Sequence, residues 1–391
     1  MQPSWGATVQ LDPLEGAKQV KVLRYGRVAA VIAVGAIALT ACGGNSGAGN
    51  STPAGSSSAA VDYSGLSGTI TAGGSSAQSN AQTAWTAGFT AQAKNVKINY
   101  DKSQGSGGGV TNFTAGSYDF AGSDAYLNAD QAAKVQAVCG PGGAVNLPVY
   151  LDGVAIVFNL QGVDKLQLSS ETVAKIFKQE IKTWDDAAIK ADNPGVTLPA
   201  TAITTVTRSD GSGTTQNFTN YLSQVAPSVW TDPVSNKWPI AGSSAQQGGS
   251  GVVNTVKAGN GTIGYADHSA IDTLKSASIK AGDKYVAFSA EGVTKAIEAG
   301  VTAAPSEVKG DLSQKIDYTK LTSGDAYPIP LISYDIVCTK FKDAKQAELT
   351  KAYIGYIASD QGQKIAAKNA GSAPLPADLA AKIAETLKTV S

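Results

Sequence analysis

Hydrophobic and polar positions along this chain predict strands and helices in alternation. A short apolar run ends in a turn of small polar residues, and apolar side chains then recur at helical spacing. This order occurs three times, with the strand-like runs at residues 70–72, 98–100 and 202–207. Alternation of this kind is typical of an α/β fold, in which helices cover the faces of a largely parallel sheet.

Two longer strand-like runs, at residues 147–159 and 329–337, lie well apart in the chain. Near the C-terminus, apolar residues at helical spacing are separated by Pro and Gly breaks. They predict three helices, at residues 345–358, 361–368 and 376–387.

The turns carry the candidate chemistry. The most informative turn reads Arg-Ser-Asp-Gly-Ser-Gly-Thr at 208–214, between a strand-like run and a helical segment. The first N–H groups of a helix lack internal partners and lie at the positive end of its dipole, so they suit an anion. Gly/Ser turns at 73–76 and 105–109 have the same placement, and Phe-Ala-Gly-Ser-Asp-Ala at 120–125 adds one acid. The turns together predict an oxyanion site.

These motifs resemble those of the phosphate-binding proteins of bacterial ABC phosphate importers. The likeness runs from about residue 68 to the C-terminus and rests chiefly on segments 105–109, 122–125, 208–214 and 261–265. The first turn departs from the family pattern, which has Thr-Phe-Pro where this chain has Ser76-Ala77-Gln78. A hydroxyl and a backbone N–H are kept there, but the aromatic wall is lost.

The resemblance implies an α/β, two-lobed periplasmic binding protein fold of type II with hinge strands. Lobe one would comprise residues 67–148 and 329–391, and lobe two residues 149–328. The two long strand-like runs would be the hinge crossings, and the ligand would be clamped between the lobes. The implied function is capture of inorganic phosphate outside the membrane, by a monomer, and its delivery to the membrane subunits of an ABC permease.

The expected phosphate contacts combine hydroxyls, backbone N–H groups and one cation. Side-chain hydroxyls are assigned to Ser76, Ser106, Ser212 and Thr214. Backbone N–H groups are assigned to Ala77, Gly213 and Thr214. Arg208 supplies charge-assisted hydrogen bonds, and Asp210 orients Arg208 through an ion pair.

Asp124 is the residue expected to select the anion. A carboxylate repels an anion unless that anion carries a proton to donate, which phosphate does at neutral pH and sulfate does not. Sulfate, molybdate or tungstate binding remains an alternative within the binding class. A secreted phosphatase-like enzyme and a purely structural surface lipoprotein are alternatives outside it.

The N-terminal pattern predicts export. A basic stretch at residues 18–27 precedes an uncharged apolar run at 28–39, which is short for a membrane span and suits a signal peptide. Leu-Thr-Ala-Cys at 39–42 resembles a lipoprotein cleavage box, so residues 1–41 are predicted to be removed and Cys42 to carry lipid. An uncut signal anchor is the alternative. Residues 42–66, rich in Gly, Ser, Ala and Asn, are predicted to be a flexible tether.

Charge and cysteine content narrow the choice of partners. The chain has 31 basic and 31 acidic residues, and without residues 1–41, which hold four basic and two acidic side chains, its net charge becomes −2. This balance argues against a nucleic-acid partner. Cys139 and Cys338 remain as a pair in an oxidising compartment, either as a disulfide or as two buried thiols.

Motifs for enzyme chemistry are weak. His268 is the single histidine, and no Cys/His spacing suits a metal, so neither metal nor cofactor is expected. Residues 259–264 match Gly-x-Gly-x-x-Gly but lie between a helical and a strand-like segment, the reverse of a dinucleotide site, so a turn is predicted. Asp185 and Asp186 are interpreted as helix-cap residues.

Overall fold

The computed structural model describes residues 61–391. The predicted signal peptide, Cys42 and most of the tether lie outside the described residues. The strands are β1 Ser67–Gly74, β2 Asn95–Asp101, β3 Phe120–Ser123, β4 Ala144–Asn159, β5 Gln167–Leu168, β6 Thr204–Arg208, β7 Ser244–Gln246, β8 Thr262–Asp267, β9 Lys275–Ser276, β10 Ser278–Ala281, β11 Lys284–Val286, β12 Val301–Ala303, β13 Gln314–Ile316 and β14 Pro330–Cys338. The α-helices are α1 Ser79–Gln92, α2 Gly105–Thr114, α3 Ala129–Cys139, α4 Ser170–Phe177, α5 Ala187–Asp192, α6 Gly213–Val225, α7 Gly248–Ala258, α8 Ala290–Gly300, α9 Ala344–Ala358, α10 Asp360–Ala370 and α11 Ala377–Thr389.

The main sheet has the strand order β2-β1-β3-β14-β4-β8-β6-β7, with β9 paired to β4. β1 is parallel to β2 and β3, and β6 is parallel to β7 and β8. The fold class predicted from the sequence is confirmed, with the first half of the sheet in one lobe and the second half in the other. The residue boundaries given above for the two lobes stay a prediction.

Strand β4 joins the two halves of the sheet. Its residues 144–153 pair with β14, and its residues 154–159 pair with β8. β14 is antiparallel to both β3 and β4, and β8 is antiparallel to β4. β1 to β3 therefore run toward the middle of β4 from one side, and β6 to β8 run toward it from the other. The carboxyl ends of both parallel sets face each other there, which is where open α/β sheets bind ligands.

The predicted helices pack as amphipathic elements against the sheet. On α1, Trp85 and Phe89 are fully buried, with Trp85 edge-on to Tyr150 of β4 and Phe89 edge-on to Tyr353 of α9. The three C-terminal helices occur where they were predicted, as α9, α10 and α11. Among residues 61–391, no helix combines the length and the apolar character that crossing a membrane requires.

The Gly-rich segment at 105–109 is the first turn of α2 and not the loop that its composition predicts. That prediction is wrong because packing overrides the low helix propensity of glycine. A Cβ at Gly109 would lie 2.5 Å from the Cα of Gly74, so only glycine lets α2 approach β1 this closely.

Substituting Gly109 by alanine should destabilise the protein. The added methyl group must displace backbone atoms, and overpacking of this kind costs ~1–3 kcal/mol of unfolding free energy. The matched control is Gly355→Ala in α9, where the added Cβ would have its nearest neighbour, an atom of the Leu387 side chain, 3.8 Å away. The control should gain ~0.5–1 kcal/mol from helix propensity. Chemical denaturation measures both, and equal effects in the two variants would contradict the packing argument.

Cys139 ends α3 and Cys338 ends β14, and the structure joins them by a disulfide that spans 199 positions of the chain. The covalent link ties the N-terminal part of the first lobe to the strand by which the chain returns to it. Two smaller predictions from the sequence, a helix cap and a turn, are also confirmed. Asp186 caps α5 by accepting the N–H of Ala188 at 2.8 Å, and residues 259–261 form a turn between α7 and β8.

Candidate functional site

The cleft between the facing strand ends is bordered by the first turns of four helices. α1 follows β1, α2 follows β2, α6 follows β6 and α7 follows β7. Since each strand ends at the cleft, each helix begins there, and the N–H groups of its first turn lack partners within the helix. Four positive helix ends are thus brought together. The contribution of α7 was not predicted, because its residues Gly-Gly-Ser-Gly follow only a three-residue strand.

Contacts from both halves of the sheet converge on Asp124, which directly follows β3 and is 3% exposed. Its Oδ1 accepts hydrogen bonds from Ser75 Oγ and, at 2.6 Å, from Ser333 Oγ. Its Oδ2 lies 3.4 Å from Ser106 Oγ and 3.3 Å from Thr214 Oγ1. Ser106 is in the first turn of α2 and Thr214 in that of α6. The carboxyl group therefore stands between two helix N-termini that come from opposite halves.

The surroundings of Asp124 act on its ionisation in opposite directions. Burial raises the pKa of Asp124, and the hydroxyl groups of Ser333 and Ser75, together with the positive charge of Arg208, limit that rise. The hydroxyl donors thus favour the ionised carboxylate, which can only accept hydrogen bonds.

Arg208 ends β6 and forms a buried ion pair with Asp210, as the sequence predicts. Nε of Arg208 donates to Oδ1 of Asp210 at 2.7 Å, and Nη2 donates to Oδ2. The two side chains are 1% and 5% exposed. Nη1 of Arg208 is buried and has no hydrogen-bond partner among residues 61–391. Two of the three guanidinium nitrogens are held by Asp210, and the third remains available to an anion.

The same pair is contacted from two other helices. The N–H of Gly248, at the start of α7, donates to Oδ1 of Asp210 at 3.1 Å. Burial opposes ionisation of Asp210, but Arg208 and this N–H outweigh it and lower the pKa of Asp210. From the other half, Gly105 packs so closely that a Cβ there would lie 3.3 Å from Nη2 of Arg208. The ion pair between Arg208 and Asp210 therefore has close neighbours from both halves of the cleft.

Ser212 and Gly213 shape the start of α6. Ser212 Oγ caps the helix by accepting the N–H of Thr215 at 3.1 Å. A Cβ at Gly213 would lie 2.6 Å from the Cβ of Asp124, so glycine is required for the two halves to meet. The N–H of Gly107 also donates to the carbonyl oxygen of Gly211 at 2.8 Å. The loops of the two lobes are in direct contact around the site.

The first predicted loop lies at the border of this cluster. Ser76 Oγ accepts the N–H of Gly249 at 3.4 Å, so Ser76 faces α7. The N–H of Ala77 donates to Ser75 Oγ at 3.1 Å and is engaged within its own loop. The structure therefore places Ser106, Asp124, Arg208, Asp210, Ser212, Gly213 and Thr214 together, with Ser76 and Ala77 beside them.

Sequence reasoning missed three buried residues of this region. Ser75 and Ser333 both donate to Asp124, and neither is exposed. Asp267 ends β8 with no exposed surface, accepts from Ser269 Oγ at 2.8 Å, and has its pKa raised to about 6 chiefly by burial. The available signal for Ser333 was a hydroxyl in a largely apolar strand that also contains Asp335, and a strand pattern alone does not connect it to Asp124.

The single histidine is a packing residue. The ring of His268 stacks on Phe288 with 3.5 Å between ring centroids, and burial lowers the pKa of His268 to about 4. Its imidazole is thus neutral at neutral pH. Within the described part of the chain, no three His, Cys, Asp or Glu side chains are grouped to hold a metal ion.

Known proteins resemble this chain over most of its length. A family model described as a PBP superfamily domain matches residues 53–361. Phosphate-binding protein PstS 3 of Mycobacterium tuberculosis is 35% identical over 341 residues, which cover 86% of this chain and 90% of that protein. The chain belongs to the PstS family of phosphate-binding proteins. The resemblance inferred from the sequence motifs is thereby confirmed.

Other members and solved structures agree with this assignment to the PstS family. Phosphate-binding protein PstS 2 of Mycobacterium tuberculosis is 34% identical over 382 residues, covering 95% of this chain and 100% of that protein. The solved phosphate-binding protein of Stenotrophomonas maltophilia has a TM-score of 0.64 at 19% identity, over 81% of this chain and 93% of that one. A periplasmic phosphate-binding protein solved with phosphate, PfluDING, has a TM-score of 0.64 at 22% identity. The match covers 80% of this chain and 92% of that one. The structural likenesses support the two-lobed fold.

Proposed function

We propose that this protein binds inorganic phosphate outside the cytoplasm and delivers it to an ABC permease for import. Its relatives in the PstS family are named for phosphate binding. The observation that carries the proposal is the meeting of Asp124 and Arg208 in one buried cleft among helix N-termini. That cleft offers many donors, one cation and, between two of the helix N-termini, the carboxylate of Asp124 as an acceptor.

The carboxylate of Asp124 favours phosphate over other tetrahedral anions. Helix N–H groups, hydroxyls and Nη1 of Arg208 all donate, so they bind any oxyanion. Asp124 adds a carboxylate that must be matched by a donor on the ligand, and at neutral pH phosphate carries one or two protons. Sulfate carries none, so it would leave a buried carboxylate unpaired against a negative charge. Molybdate and tungstate should be excluded for the same reason as sulfate, because they also lack a proton to donate to Asp124 at neutral pH.

Binding between two lobes also suits delivery. The contacts of Asp124 with Thr214, and of Gly107 with Gly211, join loops from opposite halves. A ligand that bridges the same loops would stabilise closure, and opening would release it. We infer that the closed form is the one presented to the permease. In this proposal the protein acts as a monomer and needs no cofactor.

The phosphatase-like alternative is set aside. The relatives are binding proteins, a non-enzymatic family. Asp124 and Arg208 are instead arranged to hold an anion.

The direct test is calorimetric titration of the purified protein with phosphate and with sulfate at neutral pH. We expect saturable phosphate binding and sulfate binding weaker by at least about two orders of magnitude, as for a site whose buried polar group is left unpaired. Equal affinity for the two anions would contradict the proposal, and absence of phosphate binding would refute it.

We further propose that the protein is held at the outer face of the membrane by lipid on Cys42. The support is the sequence Leu-Thr-Ala-Cys at 39–42 after an apolar run. The Gly/Ser-rich segment after it would let the folded part reach the permease.

Replacing Cys42 by serine should release the protein from the membrane fraction, because the thiol that would carry the lipid is gone. Phosphate affinity should not change, since the site lies in the folded lobes. Fractionation of cells followed by titration of the released protein measures both. Retention of Cys42→Ser in the membrane would argue for an uncut signal anchor instead.

A further inference from the structure

Asp124 is connected to a line of buried polar side chains behind the cleft. Gln78, Gln82, Ser333 and Tyr353 are each no more than 2% exposed. They lie on α1 or just before it, on β14 and on α9, elements of the first lobe. Gln78 also stands at a position where the first turn departs from the family pattern. Burial of two amides and two hydroxyls is costly unless they are hydrogen-bonded, so their partners define what they do.

Each member of this line donates toward Asp124. Tyr353 OH donates to Oε1 of Gln82 at 2.8 Å, and Nε2 of Gln82 donates to Oε1 of Gln78 at 2.9 Å. Nε2 of Gln78 donates to Ser333 Oγ at 2.9 Å, and Ser333 Oγ donates to Oδ1 of Asp124 at 2.6 Å. Four consecutive hydrogen bonds therefore run from α9 to the carboxyl group, and such chains strengthen one another by polarisation.

The orientation of the side-chain amide of Gln78 fixes the direction of this series of hydrogen bonds. Its Nε2 also donates to the carbonyl oxygen of Tyr334 at 3.1 Å, so a flipped amide would place two oxygens against each other. With Nε2 facing Ser333, the hydroxyl proton of Ser333 is directed to Asp124. An ionised carboxylate can accept this hydrogen bond at Oδ1. A neutral carboxyl group that carries its own proton on Oδ1 cannot.

We propose that Ser333, Gln78, Gln82 and Tyr353 form a positioning relay that holds Asp124 ionised, with Oδ1 occupied and Oδ2 directed to the ligand, and that this relay sets the preference for phosphate over sulfate. The inference rests on the proposed function. It adds residues that do not touch the anion, and it assigns different tasks to the two oxygens of Asp124.

The geometry separates those tasks. Oδ1 receives both Ser75 and Ser333 on the side of the first lobe. Oδ2 has only the longer contacts to Ser106 and Thr214, the residues that flank the expected anion. A carboxylate whose Oδ1 is already satisfied presents its remaining acceptor capacity through Oδ2.

The charged and titratable groups around Asp124 agree with an ionised form that depends on the relay. Arg208 favours ionisation of Asp124, while Tyr100 and Asp267, which also interact with Asp124, supply no positive charge. Asp335 lies beside Gln78 and Tyr100, and burial raises the pKa of Asp335 to about 8, so this carboxyl group is largely neutral at neutral pH. Because burial raises the pKa of Asp124 and the Ser333 hydroxyl lowers it, removing that hydroxyl should raise the pKa further. Asp124 would then become neutral at higher pH and could donate its proton to sulfate.

The experiment compares Ser333→Ala and Gln78→Met with the unaltered protein. Phosphate and sulfate affinities are measured by calorimetry from about pH 5 to about pH 8, a range in which a raised carboxyl pKa becomes visible. We expect the phosphate-to-sulfate ratio at neutral pH to fall roughly tenfold in Ser333→Ala and about threefold in Gln78→Met. In both variants the pH at which the ratio collapses should move upward.

Two matched controls separate the relay from general damage. Ser313→Ala removes another buried serine hydroxyl, which donates to Asp311 outside the relay. Tyr327→Phe removes a buried hydroxyl that donates to the carbonyl oxygen of Val154, and it pairs with the relay variant Tyr353→Phe. Both controls should keep the ratio and its pH profile, whereas Tyr353→Phe should shift the profile slightly upward.

The outcomes distinguish the two proposals. If the unaltered protein does not bind phosphate, the proposed function fails. If it binds and discriminates but Ser333→Ala and Gln78→Met keep its ratio and pH profile, the relay is overturned and the function stands. Should Ser333→Ala not fold, Gln78→Met and Tyr353→Phe decide, because an unshifted profile in both also overturns the relay.

Discussion

Replacing Arg208 by alanine should lower phosphate affinity by at least about tenfold, the largest loss expected for any single substitution in the site. Arg208 is the only arginine beyond residue 27, and its side chain is 1% exposed. Its loss removes the donor Nη1 and leaves the carboxylates of Asp124 and Asp210 without their cation. Truncating one partner of a buried charge pair costs ~2–5 kcal/mol. Calorimetric titration with phosphate measures the effect.

The guanidinium group matters as well as its charge. Arg208→Lys keeps one positive charge but cannot bind Asp210 through two nitrogens and still present a third, so it should also bind phosphate more weakly. The control is Lys178→Ala, which breaks an ion pair with Asp232 at 2.6 Å that is not part of the cleft. Wild-type affinity in Arg208→Ala would refute the assignment of Arg208.

Replacing Asp124 by asparagine should reduce the phosphate-to-sulfate ratio by roughly tenfold or more. The amide has a similar shape but can turn its NH₂ group toward the anion, so the unpaired and repelling carboxylate that excludes sulfate is gone. That penalty is on the order of 1–3 kcal/mol for a neutral buried group and more for a charged one. About 1.4 kcal/mol corresponds to one decade of affinity. Parallel titrations with the two anions give the ratio.

The pH dependence of the phosphate-to-sulfate ratio provides a second test of the same substitution. In the unaltered protein the ratio should fall as pH decreases through the pKa of Asp124, because the neutral carboxyl group can donate to sulfate. In Asp124→Asn this titration should be absent. Asp119→Asn is the matched control, since Asp119 directly precedes β3, at the end of that strand away from the cleft, and accepts the N–H of Thr71 at 2.7 Å. A ratio in Asp124→Asn equal to that of the unaltered protein would remove the chemical argument for phosphate.

Local sequence determined the elements and the main donors of the site. Periodicity identified α1, α6, the C-terminal helices and the long strands β4 and β14, because amphipathic spacing and turn residues are properties of adjacent positions. The heptapeptide at 208–214 contains Arg208, Asp210 and the α6 cap Ser212, so the Arg208–Asp210 ion pair and the cap of Ser212 on Thr215 depend little on the rest of the fold. The resemblance to phosphate-binding proteins rested on such short motifs.

Tertiary structure decided what meets across long separations of the chain. Ser333 reaches Asp124 from 209 positions away, and Gln78 reaches Ser333 from 255. No local pattern encodes such pairs, because they depend on the order and direction of strands around β4. The helical state of 105–109 was likewise set by packing against Gly74, against the intrinsic preference of glycine. The sequence by itself determined which groups can bind an anion, and the fold decided which of them face it, because hydrogen bonding acts over a few ångströms in space and not along the chain.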